Sequence, residues 1–202
     1  PTSRLTIKAL DKSGAGFILR GMMRIATWNI NSVRLRLPLL ERFIESARPD
    51  VICLQETKCV DDAFPRAALA QTGYPHQHIC GMKSYNGVAI LAREPLTATG
   101  IMNWQRREDC RHIHARLANG WEIHNVYVPA GGDIPDPEAS QKFAHKLGFV
   151  EEQADWWDRQ DNDKPRILVG DLNIAPQEHD VWSHRQMRGV VSHTEVEIAR
   201  LG

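Results

Sequence analysis

The chain has 202 residues, with 25 lysines and arginines against 25 aspartates and glutamates, and is 42% hydrophobic and 25% charged. That balance suits one soluble globular domain with a sizeable core. Its longest apolar runs, such as Val88-Ala89-Ile90-Leu91-Ala92, fall far below the roughly 18 to 20 residues of a membrane-spanning helix, so no membrane partner is expected. Zero net charge also removes the argument that a strongly basic surface makes for nucleic acid, leaving any phosphate recognition to local groups.

Residues 1–22 carry Arg4, Lys8, Lys12 and Arg20 against the single acid Asp11 and lack hydrophobic period. Phe17-Ile18-Leu19 is too short for a signal core, so the stretch is expected to be an N-terminal extension, with the domain spanning 23–202. Residues 24–29 form the first strand-like run. Residues 38–47 read as a helix, with Pro38 in its first turn and Leu40, Phe43, Ile44 and Ala47 on one face. A buried strand comes next over 51–54, then a short helix over 65–71. Strands are expected over 87–92, 113–117 and 121–128, the last two separated by the turn signal Asn119-Gly120. Asp136 as N-cap and Pro137 as first helical residue open a long amphipathic helix with the stripe Phe143, Leu147, Val150, Ala154 and Trp157. A last buried strand covers 166–170. The cysteines Cys53, Cys59, Cys80 and Cys110 show no paired-ligand spacing and read as reduced, packed thiols of a cytoplasmic protein. His112 and His114 share a strand face, and without a third ligand nearby they read as packing side chains.

Four of the strand-like runs end directly in polar side chains: Trp28-Asn29, Leu54-Gln55-Glu56, Asn125-Val126-Tyr127 and Gly170-Asp171-Leu172-Asn173. In layered α/β proteins such ends are where loops open and ligands bind, so the recurrence points to a converging pocket. Asp171 and Asn173 lie two apart, which in extended backbone puts both on one face, and Asn125 and Tyr127 obey the same rule. Glu56, Asp171 and the amide oxygens of Asn29 and Asn173 are hard donors suited to Mg²⁺ or Mn²⁺. On a phosphodiester, one carboxylate would take a proton from water while Asn donors and the Tyr hydroxyl stabilise the pentacovalent charge. Carboxylates at strand ends also serve as helix caps and turn formers, which is the competing reading.

Motif text decides between them. Thr27-Trp28-Asn29-Ile30-Asn31, Leu54-Gln55-Glu56-Thr57-Lys58, Tyr85-Asn86-Gly87-Val88, Asn125-Val126-Tyr127-Val128-Pro129 and Gly170-Asp171-Leu172-Asn173-Ile174-Ala175-Pro176 together resemble the exonuclease III family of DNA-repair nucleases. They occur in that family's order. The resemblance implies a four-layer α/β sandwich, two packed mixed sheets flanked by helices, and a Mg²⁺-dependent hydrolase that incises DNA at abasic sites and trims 3′ ends as a monomer. It also implies that Asn29, Glu56, Asp171 and Asn173 form the metal site, with Glu56 the principal ligand. Tyr127 would contact the scissile phosphate, Asp171 would move the proton, and Asn173 would stabilise the transition state. Asn125, Arg34 and Lys58 are expected to touch substrate.

The family pattern continues to a catalytic aspartate and a terminal Ser-Asp-His motif, neither of which this sequence contains. The chain therefore reads as a C-terminally truncated member with an unpaired sheet edge. Two other functions compete: a phosphatase acting on a phospholipid or inositol phosphate, against which Thr57-Lys58 argues, and a catalytically dead DNA-binding fragment.

Overall fold

A strand that is buried at every position has no face to give to water, and two such strands form the centre of the fold. Val51–Gln55 (β2) and Val88–Ala92 (β4) are buried along their whole length, which requires a covering layer on each side. The computed structural model describes residues 23–161 and 163–201, so the expected extension over 1–22 lies outside the described residues. β2 runs parallel to β1 (Ile25–Asn29) and antiparallel to β4, which pairs in turn with β3 (His76–Cys80), giving the sheet order β1-β2-β4-β3. A second sheet takes β5 (Thr97–Ile101), β6 (His112–Arg116), β7 (Glu122–Tyr127) and β8 (Arg166–Asp171) in that order. Only its β7–β8 pair is parallel.

Helices α1 (Leu37–Ala47) and α2 (Arg66–Gln71) cover the outside of the first sheet, setting Leu40, Ile44 and Leu69 against Ile52, Leu54 and Leu91. Between the sheets, Val51, Cys53, Val88 and Ile90 meet Ile113, Ala115, Ile123 and Tyr127. On the far side α3 (Gln141–Asp158) packs Phe149 and Val150 on Val126, Val128 and Trp104. The layers are helix, sheet, sheet, helix, the sandwich that the motifs implied. Two short helices, α4 (His184–Met187) and α5 (Glu195–Leu201), come after β8.

Four features depart from the sequence reading. The strand over 166–170, expected to be buried, forms the sheet edge β8 and leaves Leu168 exposed. The long helix starts at Gln141 instead of 137, because Ser140 Oγ accepts the Phe143 N–H at 3.3 Å and caps it. Asp136 Oδ1 instead accepts the Glu138 N–H in the preceding turn. The sheet edges β3 and β5 were not expected, since their sequences His-Gln-His-Ile-Cys and Thr-Ala-Thr-Gly-Ile mix polar and apolar residues as edge strands do. The α3 face also buries Lys146 and Gln153 among its apolar stripe.

Asn125 requires a correction. It is fully buried, its Oδ1 accepting the Gln55 Nε2–H at 2.7 Å and its Nδ2 donating to the Leu54 and Ala89 carbonyls, both at 2.9 Å. Its polar atoms are spent on joining β7 to β2 and β4, so it ties sheet to sheet and does not face substrate.

A second buried polar chain lies under α3. Trp104 Nε1–H donates to His112 Nδ1 at 3.1 Å, which leaves the His112 proton on Nε2, 3.0 Å from His124 Nδ1. His124 Nε2–H then donates to Glu122 Oε1 at 2.9 Å. The two links in which a ring nitrogen accepts, at His112 Nδ1 and His124 Nδ1, need neutral imidazoles. Burial holds His112 well below the ordinary histidine range and, partly opposed by Glu122, depresses His124 to about 4.

Both networks should register in stability measurements. Because the folded His124 pKa lies below the unfolded value near 6.5, its contribution is complete above pH 6.5 and is lost as pH falls toward 4. The loss is about 3 kcal/mol for this group alone. Urea midpoints measured between about pH 7.5 and 4.5 should fall steadily, and a flat profile would contradict the network. Asn125→Ala, which strands the Gln55 amide and two buried carbonyls, should cost about 2 kcal/mol or more, and an unchanged urea midpoint would refute its tying role.

Candidate active site

Both parallel strand pairs end on the same side of the sandwich, at residues 29, 55, 127 and 171, and backbone conformation shapes the loop that leaves each end. Glu56 leaves β2 with a left-handed φ of 53°, a conformation that costs a non-glycine residue on the order of 1 kcal/mol. It is held there because Glu56 O accepts the Ser32 N–H at 2.7 Å, while Thr57 and Lys58 donate to Gly87 O and Asn86 O at 3.0 and 2.9 Å. A Cβ on Gly87 would lie 2.1 Å from Thr57 Oγ1, so the Asn86-Gly87 turn can close over this loop only as glycine. Asp171 comes directly after Gly170, whose φ of 148° and close approach to Val126 O, 1.9 Å from a built Cβ, exclude a side chain.

These ends bring three of the expected residues onto one carboxylate. Asn29 Nδ2 donates to Glu56 Oε1 at 2.8 Å and to Asp171 Oδ2 at 2.7 Å, and Tyr127 OH donates to the same Glu56 Oε1 at 2.9 Å. Lys58 Nζ lies 2.7 Å from Glu56 Oε2 and 2.6 Å from Asn31 Oδ1. Asn173, also at a left-handed φ of 50°, donates its backbone N–H to Asp171 Oδ1 at 3.1 Å and its Nδ2 to Val128 O at 2.9 Å. Arg34 is exposed on the loop after β1, and Asn125 is buried behind the cluster.

Burial opposes ionisation of Glu56, but hydrogen bonds from Asn29, Lys58 and Tyr127 outweigh it and hold the carboxyl below its ordinary range. The same contacts act oppositely on Tyr127. Its burial, together with the Glu56 charge, pushes the phenol well above the usual tyrosine value against the pull of Arg111. Tyr127 is thus a hydrogen-bond donor at neutral pH and not a base. The donor set that remains is two carboxylates within reach of a single amide nitrogen, flanked by amides. Such hard, anionic oxygens fit a divalent cation like Mg²⁺ or Mn²⁺ and not a thiolate-seeking metal. Among the described residues no cluster of three or more His, Cys, Asp and Glu side chains could hold a metal, so a cation here would depend on Glu56 and Asp171 with amide and water oxygens.

Two residues at this site escaped the sequence reading. The Arg111 guanidinium stacks 4.7 Å above the Tyr127 ring, donates to Tyr127 O at 3.2 Å and pairs with Asp109 at 2.8 Å. Nothing in its local sequence sets it apart from Arg106 or Arg107. Lys146 donates to Asn173 O at 2.6 Å and to Ala130 O, and forms a fully buried ion pair with Glu197 of α5. A lysine three residues after Phe143 and one before Leu147, inside an apolar stripe, was a readable sign of a buried cation.

The chain matches the model of the Endonuclease/Exonuclease/phosphatase family over residues 26–192. It is 33% identical over 166 residues to exodeoxyribonuclease III of Haemophilus influenzae, covering 79% of this chain and 60% of that one. With the DNA repair nuclease APEX1 of Danio rerio it shares 32% over 182 residues, 87% of this chain and 56% of that one. The chain thus spans less than two thirds of the length of these curated relatives. Among solved structures it is similar to an AP endonuclease from Archaeoglobus fulgidus, with TM-score 0.81, 33% identity, and 89% and 68% of the two chains covered. It is also similar to the 3′ phosphatase NExo of Neisseria bound to a product DNA hairpin, with TM-score 0.75, 30% identity, and 88% and 68% covered. A family match spanning both sheets and every strand end that feeds the Asn29–Glu56–Asp171 cluster makes this chain a member of the endonuclease/exonuclease/phosphatase family.

Proposed function

We propose that this chain carries the metal-dependent phosphodiesterase site of a DNA-repair nuclease, acting beside abasic sites and at 3′ ends of duplex DNA. The observation that carries the reading is the Asn29 amide shared by Glu56 and Asp171, with Tyr127 donating to the same Glu56 oxygen. Relatives named as exodeoxyribonuclease III and as an AP endonuclease support the substrate class, as does a neighbour bound to a DNA hairpin product.

Glu56 and Asp171 would hold the cation, Mg²⁺ before Mn²⁺, with Asn29 and Asn173 beside them. Its chemistry is to neutralise charge on the phosphate and to lower the pKa of water. The chain's own groups supply the rest. Tyr127, whose phenol burial and Glu56 push up, offers an O–H to a phosphate oxygen as charge develops. Asp171, fixed by the Asn29 amide and the Asn173 N–H, takes a proton from water or returns one to the leaving oxygen. Lys58, already within reach of Glu56, and exposed Arg34 are placed to meet backbone phosphates. A handful of placed groups grips one phosphate, which reconciles DNA with zero net charge. We read the enzyme as a cytoplasmic monomer; no helix among the described residues is long and apolar enough to cross a membrane.

Incubation with a duplex bearing one abasic site should give incision with Mg²⁺ and none with EDTA. Asp171→Asn should lower the rate by on the order of 10² to 10⁴ without shifting the thermal midpoint appreciably. Hydrolysis of an inositol phosphate with no action on DNA would overturn the reading, and binding without incision would mark a DNA-binding module.

A further inference from the structure

Cys80 is the last residue of β3 in the first sheet, and Cys110 stands just before β6 in the second. Both pack into the core between the sheets, Cys80 buried and Cys110 partly open to solvent. They belong to one packed cluster, and the Cys110 S–H donates to Gly81 O, the carbonyl next to Cys80, at 3.7 Å. Cys53 and Cys59 make no such pair among the described residues. Cys110 also holds a left-handed φ of 49°, a position a non-glycine residue keeps only under restraint. The restraint is visible: Asn86 Nδ2 donates to Asp109 O at 2.8 Å, and Arg111 bonds Asp109 Oδ2 and Tyr127 O.

We propose that Cys80 and Cys110 are a dithiol pair that a peroxide converts to a reversible disulfide, and that the cross-link displaces Arg111 from Tyr127. The Cys110 thiolate attacks one peroxide oxygen, the O–O bond breaks, hydroxide leaves, and Cys110 becomes a sulfenic acid. The Cys80 sulfur then attacks the Cys110 sulfur. The S–S bond forms as the S–O bond breaks, and the departing hydroxyl leaves as water with the Cys80 proton. Two thiols are oxidised and one peroxide is reduced to two waters. A dithiol reductant reverses the step by exchange.

The environment divides the roles. The Cys80 S–H stabilises the Cys110 thiolate, lowering that thiol from its ordinary value although burial and the acids Asp61, Asp109 and Glu108 oppose it. The same bond, together with burial, pushes Cys80 up. The accessible sulfur is therefore the attacking one and the buried sulfur resolves it. A disulfide brings its sulfurs to about 2.05 Å, closer than any thiol contact, and so pulls on a residue already held at a left-handed φ. Under the proposal this pull reaches Arg111, the next residue in the chain. A shift on the order of 1 Å at a group that orders a reacting side chain costs up to about 10² in rate.

The activity arm of the test rests on the nuclease reading, but the chemical arm does not. Treating the purified protein with hydrogen peroxide, alkylating the remaining thiols and mapping unreduced peptides should reveal one disulfide, Cys80 to Cys110. Cys80→Ser and Cys110→Ser should each abolish it, while Cys59→Ser keeps it, with circular dichroism confirming that all three variants fold. Oxidation of Cys110 to a sulfinic acid while Cys80 stays alkylable after denaturation would overturn the pair. On abasic duplex, oxidation should slow incision at least about tenfold, dithiothreitol should restore it, and Cys110→Ser should be resistant. A mapped disulfide with unchanged incision would overturn the link to Arg111, whereas the peptide map decides the disulfide whether or not the protein cuts DNA.

Discussion

One amide group closes the site: Asn29 Nδ2, at the end of β1, donates to Glu56 and to Asp171 at the end of β8. β1 and β8 are edge strands of different sheets, so no backbone ladder joins them. Two like charges that share one amide repel; the amide's two protons and the Lys58 ammonium beside Glu56 offset this, as a bound cation also would. The position of Asp171 relative to Glu56 therefore depends on how firmly the sheets are pressed together. That firmness comes from the intersheet core and from Asn125, which bonds Gln55, Leu54 and Ala89 across the same gap.

Arg111 and Glu56 set the state of Tyr127 from opposite ends. Burial and then Glu56 raise the phenol's pKa while the guanidinium above the ring lowers it, and the first pair prevails. The neutral phenol offers its proton to Glu56, which three donors hold ionised; under the proposed function the proton-accepting role falls to Asp171.

Elements with a strong single periodicity were legible: the continuous apolar runs of β2 and β4, the apolar face of α1, and the stripe of α3. So were the polar ends of four strands, because a carboxylate or amide recurring at strand end after strand end is a pattern that caps and turns alone do not produce. The edge strands were not legible. His76–Cys80 and Thr97–Ile101 acquire strand geometry from pairing with β4 and β6, a tertiary cause that composition does not carry. Asn125 was misread for a related reason. Its alternation with Tyr127 correctly put both on one face, but whether that face is cleft or core depends on what the first sheet sets against it. Gln55 lies opposite Asn125, while Glu56, one residue later and turned by its left-handed backbone, meets Tyr127. Residues two apart on β7 thereby serve a structural tie and a chemical site.

The buried pair Lys146–Glu197 shows how far the site's support extends from its chemistry. Lys146 is fully buried, and burial lowers its ammonium pKa although Glu197 and then Asp171 oppose this. Glu197 in turn accepts the Ser192 and Thr194 N–H groups and the Thr194 hydroxyl, so the carboxylate organises the segment leading into α5. Removing one partner of such a pair strands a charge and costs about 3 to 5 kcal/mol, whereas replacing both by apolar groups can be neutral. An apolar pair would pack α5 on α3 equally well, but it would leave the Asn173 and Ala130 carbonyls without the ammonium that they now share. Asn173 sits at a left-handed φ with its N–H on Asp171, so the ammonium that bonds its carbonyl also fixes the peptide that orients Asp171. The ionic pair is thus explained by what it holds and not by the stability it adds. It couples the packing of α5 to the geometry of Asp171.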